Sequence, residues 1–139
     1  MPNQKLTAAN AVILGAGVVL LLGSFLSFYT ILGVSVSAWS HGLFGIATVV
    51  VFCGVTMASQ VALATFGTRP PPGKPFGLTW DQVHLALGFQ AMIMMLAFVA
   101  QDRPYLLKFG VGFWLMFASA VALFVGALLR LRRRGLRAI

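Results

Sequence analysis

Among the polar side chains within long, mostly apolar runs, Gln60, Asp81, His84 and Gln90 are the candidates for chemistry. Asp81 and His84 stand three residues apart in WDQVHLALGFQ, Trp80 to Gln90, so on a helix they share one face within hydrogen-bonding reach. An acid beside an imidazole is the minimal set for moving a proton or for offering two ligands to a metal. Two ligands do not close a metal site, and no nucleophile–base set accompanies them. The sequence therefore predicts no catalytic residue, no metal and no cofactor.

The same stretch has a local structural reading. Thr79 to Gln82 has the form Thr-x-x-Gln, a capping box in which each residue satisfies a backbone N–H of the other. Asp81 then falls in the first helical turn, where the positive helix end favours an anion. Gln90 lies near the middle of the same run. At about 100° per residue it points about 180° away from Asp81, so the two form no continuous relay. Its face is shared with Ala86, Ile93 and Ala97, which suits an interhelical hydrogen bond at a close contact, and Gln60 is expected to do likewise in another helix.

A haem held between His41 and His84 fails on topology. The two histidines belong to opposite ends of antiparallel helices, roughly 20 Å apart at about 1.5 Å per residue.

The elements that position these groups follow from composition. The chain has 139 residues, 60% of them hydrophobic and 9% charged, against roughly 25% charged in soluble domains. Only Asp81 and Asp102 are acidic. So few charges cannot cover the surface of a water-soluble fold of this size, and the alternative solvent is lipid. The lone Cys53 allows no intramolecular disulfide and no thiol-exchange pair.

Four apolar runs reach the roughly 20 residues that cross a bilayer: about 8–28, 39–66, 80–100 and 110–131. None alternates as a barrel strand must. The expected architecture is an all-α integral membrane protein, one domain over residues 1–139. Two helical hairpins form a four-transmembrane-helix bundle, followed by a basic tail over 130–139. The first run is too long for a cleaved signal peptide.

Net charge is +8, but the basic residues are not interleaved with aromatics as an RNA-binding surface would be, so no nucleic-acid partner is expected. Half of them, Arg130, Arg132, Arg133, Arg134 and Arg137, crowd the end of the chain. That is a flank for anionic lipid, at about 1 kcal/mol per basic group near the surface. Lys5, Arg69 and Lys74 fall on the same side, whereas only Arg103 and Lys108 fall on the other. The positive-inside rule predicts a multi-pass membrane protein with both termini cytoplasmic. Tyr29, Trp39, Tyr105 and Trp114 then gather at the outer interface and Trp80 at the inner one.

Between the spans, TRPPPGKP at Thr68 to Pro75 reads as a stiff polyproline-like connector. YTILGVSVSA at Tyr29 to Ala38 is the first outer turn, and its Val-Ser alternation allows a short extended piece. Helices in lipid associate through close contact between small residues. The second run offers Gly54, Ala58 and Ala62; the fourth offers Ala118, Ala122 and Gly126; the first has Ala11 and Gly15, with Gly17 and Gly23 nearby.

Small multidrug exporters have a similar length but a different polar site. They depend on a glutamate in the first helix, and this chain has no glutamate. The segments GSFLSFYTILGVSVSAWSHG, Gly23 to Gly42, and FGLTWDQVHLALGF, Phe76 to Phe89, with a glycine-rich first span and an Arg-rich end, resemble small four-span actinobacterial plasma-membrane proteins of unassigned function. That group carries proline where Ser27 stands here, a difference at a helix end. The resemblance implies architecture and address and brings no catalytic residue. The function expected is a non-enzymatic structural or accessory subunit, packing with itself as a homo-oligomer or with a larger membrane complex. A small transporter, channel or pore subunit is the alternative, with Asp81, His84, Gln90 and Gln60 as its polar site.

Overall fold

The computed structural model describes residues 8–37, 39, 44–67, 77–100 and 107–137. The proline-rich connector, His41 and Tyr105 lie outside the described residues. Four helices carry the architecture: α1 (Ala8–Ser24), α2 (Phe44–Phe66), α3 (Trp80–Ala100) and α4 (Val111–Arg137). Each packs against the next along the chain and α1 also packs against α4, so the four close into an up-and-down ring. One end of the ring gathers the start of α1, the end of α2, the start of α3 and the basic end of α4.

Among the described residues, three stretches are long and apolar enough to cross a membrane: Ala47–Phe66, Trp80–Ala100 and Val111–Arg133. The first helix, with 17 residues, is shorter than the expected span over 8–28. It stops because the chain tightens after Leu22: Phe25 N–H donates to Leu22 and Leu26 N–H to Gly23, each only three residues back. The Ser24 hydroxyl donates to the Leu21 carbonyl and accepts from Trp39 Nε1 at 2.9 Å, which ties the helix end to the segment that leads back to α2.

A purely helical class does not describe the chain. At the end opposite the basic tail, β1 (Ser27–Ile31), β2 (Val34–Ser37) and β3 (Leu107–Phe109) form an antiparallel sheet in the order β2-β1-β3. The Val-Ser alternation expected to permit an extended piece is β2. Leu32 and Gly33, with φ of 51° and 81°, make the two-residue hairpin turn. Positive φ at both positions matches the strand twist in such turns. Tyr29 pairs with Phe109, so β3 joins the connection between α3 and α4 to the hairpin between α1 and α2. Phe28 is buried beneath the sheet, its ring edge-on to Phe98 and Phe113, while Phe109 stacks on Phe113.

Close helix packing uses part of the expected small-residue rows. A Cβ on Gly17 of α1 would lie 2.5 Å from that of Ala58, and one on Gly54 would lie 2.9 Å from Leu20. On the other side, a Cβ on Gly126 would meet Ile13 at 2.7 Å. Ala62 and Ala122 are half-buried. Ala118, Ala11 and Gly15, however, are exposed. A row with a step of four rotates by about 40° per step around a helix, so Ala118 has left the face that Gly126 occupies. The inward face of α4 runs instead through Phe113, Met116, Ala120, Leu123, Gly126 and Ala127 to Arg130.

Candidate functional site: a buried polar cluster at the basic end

The first turn of α3 is fixed by its own sequence. Thr79 N–H donates to Gln82 Oε1 at 2.9 Å, and Gln82 N–H donates to Thr79 Oγ1 at 3.3 Å. Both halves of the capping box are present, and Thr79 also accepts the backbone N–H of Val83. This start aims Asp81 and His84 down the face that continues through Gly88, Ala91 and Met95, all buried.

Gly88 lets α4 come close: a Cβ there would lie 3.0 Å from Phe124 Cα. The two helices are antiparallel, so the next turns of α3 toward its start face the next turns of α4 toward its end. That brings Arg130 beside Asp81 and His84. Arg130 Nε donates to Asp81 Oδ1 at 3.1 Å, and its Nη1 lies 3.2 Å from His84 Nδ1. Relative exposures of 2% for Asp81, 0% for His84 and 7% for Arg130 put all three out of contact with the surroundings of the bundle. The indole of Trp80 meets the imidazole edge-on at 6.5 Å.

A guanidinium only donates, so His84 Nδ1 is the acceptor in this contact. Asp81 carries the negative charge that balances Arg130. An arginine suits both tasks because its planar fork carries fixed donors in two directions. The group is an ion pair extended by a histidine, and it joins α3 to α4.

The other two helices bring polar groups to the same end. Gln60 and Thr65, in the last turns of α2, are buried, and Gln60 Oε1 and Thr65 Oγ1 meet no hydrogen-bond partner among the described residues. Asn10, in the first turns of α1, is buried as well. Gln90 goes the other way. It is exposed on the outside of α3 together with Ala86, Ile93 and Ala97, and the interhelical hydrogen bond expected of it does not form among the described residues. Its separation from Asp81 follows the helical period, with one residue inside and the other outside.

The five arginines expected to contact lipid divide. Arg132 and Arg133 are exposed, the side chains of Arg134 and Arg137 lie outside the described residues, and Arg130 turns inward to Asp81. Sequence reasoning missed Arg130 as the partner of Asp81 and His84, and Asn10 and Thr65 as buried polar residues. A signal existed for Arg130, which stands four residues after Gly126 and so nearly continues its inward row. Among the described residues no three His, Cys, Asp or Glu side chains come together as a metal site would require. Compared with known protein families, curated proteins and solved structures, the chain matches none.

Proposed function

We propose that this protein is a non-enzymatic, multi-pass plasma-membrane protein that serves as a structural or accessory subunit, packing laterally with itself or with a larger membrane complex. The observation that carries this reading is the engagement of Asp81 and His84 by Arg130. The two side chains best suited to chemistry are buried and hold α4 against α3, which is a structural use. In this reading all four helices cross the bilayer with both termini in the cytoplasm. The exposed Phe25 and Leu26 extend the apolar surface of the short α1 toward the sheet. Exposed Arg132 and Arg133 meet anionic headgroups.

Gentle detergent extraction from native membranes followed by crosslinking tests the proposal. The expected result is a homo-oligomer or a constant membrane partner; a strictly monomeric, partner-free protein overturns it.

A second reading, a small transporter or channel subunit, draws on the buried oxygens of Gln60 and Thr65. Acceptors without a protein donor are where a passing water, proton or cation would be held. Flux through proteoliposomes that disappears in Gln60→Ala would favour it, and flux equal to that of empty liposomes would remove it.

A further inference from the structure

Gln90 occupies the midpoint of α3, about 15 Å from either end of the helix at 1.5 Å per residue. Its side chain is on the outside of the bundle, and its amide has no partner among the described residues. In hydrocarbon such a group is costly unless it is paired. The helix that carries it is also less covered than α2 and α4: 22% of its most apolar stretch is buried within the chain, against 44% for each of them.

The residues around Gln90 have a particular spacing. Ala86, Gln90, Ile93, Ala97 and Ala100 follow one another at steps of four, three, four and three, and all are exposed. Half-buried Val83 extends the series by one more step of three. This is the alternating repeat that keeps one helix face in contact with a partner helix along its whole length. The small alanines allow close approach, and a single polar residue in such a seam sets register and the number of chains.

We infer that a second copy of this chain docks on this face, α3 against α3, with the two Gln90 amides hydrogen-bonded to each other. The choice of a second copy follows from complementarity. Two copies inserted in the same direction are related by a two-fold axis along the membrane normal, which places both Gln90 residues at one depth. Each amide carries a donor and an acceptor, so the pair satisfies itself reciprocally. An apolar partner helix would leave Gln90 without a partner. The inference rests on the proposed function, which it deepens by naming the partner and the seam.

A photo-crosslinking amino acid at Ile93 or Ala97, with Val18 on the exposed side of α1 as control, tests this in native membranes containing two differently tagged copies. The expected product has the mass of two chains, carries both tags, and is absent from the Val18 control. Gln90→Leu should abolish that product while leaving the thermal unfolding of the single chain unchanged, and Gln90→Asn should restore part of it. Crosslinks to a different polypeptide alone would overturn the second-copy inference and leave the accessory-subunit reading intact. No crosslink at any position, with no co-purifying partner, would overturn both. A dimer that persists in Gln90→Leu would overturn the amide pairing.

Discussion

Arg130 reaches Asp81 across 49 residues of sequence, and the 3.1 Å contact joins the last apolar turn of α4 to the first turn of α3. Both charges are buried, so their desolvation cancels much of their attraction, and the pair adds little net stability relative to a well-packed apolar core. Removing one partner is different, because it leaves the other charge buried and uncompensated.

The first prediction follows from that asymmetry. Arg130→Met or Asp81→Leu alone should destabilise the bundle by roughly 3–5 kcal/mol, while the double variant should recover most of the loss. Reversible unfolding in detergent, arranged as a double-mutant cycle, measures the coupling. Two losses that simply add would mean that the residues do not act as a pair.

Two glycines two residues apart should behave in opposite ways. A Cβ at Gly17 would crowd Ala58 at 2.5 Å, whereas nothing lies within 4 Å of one at Gly15. Gly17→Ala is expected to cost about 1–3 kcal/mol through overpacking. Gly15→Ala should be neutral or stabilise by up to about 1 kcal/mol through helix propensity. Melting temperatures of the two variants decide the matter, and equal shifts would contradict the packing of α1 on α2.

The elements differ in how much of them could be read from the sequence. The long apolar runs named α2, α3 and α4 because a helix of that length carries its own signal. The Thr79 capping box was legible because all its partners lie within one turn. β3 was not, since three residues are too few to display alternation and its pairing with β1 depends on the fold. Asp81 and His84 could be placed together from spacing alone, whereas Arg130, one turn after Gly126, was grouped with the arginines that follow it. Its inward direction comes from the close approach of α3 and α4 at Gly88. Gln90 shows the reverse case: its face was correctly grouped with Ala86, Ile93 and Ala97, but which side of the helix meets the core depends on the positions of α2 and α4.

Leu32 invites a gain of stability. It holds a positive φ of 51° with its side chain 76% exposed, so it bears the steric cost of the left-handed region without packing in return. That cost is about 1–2 kcal/mol for an ordinary residue. Leu32→Asn or Leu32→Gly should raise the stability of the sheet end by about 1 kcal/mol, read as slower amide exchange at Thr30 and Lys108, which face each other across β1 and β3. Faster exchange would mean that the exposed leucine is held by a contact outside this chain.

The α2 acceptors separate the two proposed functions. A buried oxygen with no donor costs about 1–3 kcal/mol, and an apolar side chain of similar volume removes that cost. If the bundle is only a scaffold, Gln60→Met should be neutral or stabilising by about that amount, and assembly in native membranes should be unchanged. If Gln60 serves a conducted or bound species, the same variant should be at least as stable yet lose flux in proteoliposomes. Stability and flux measured on one preparation separate these outcomes. A large loss of stability would fit neither, because it would mean that Gln60 already has a donor within the folded chain.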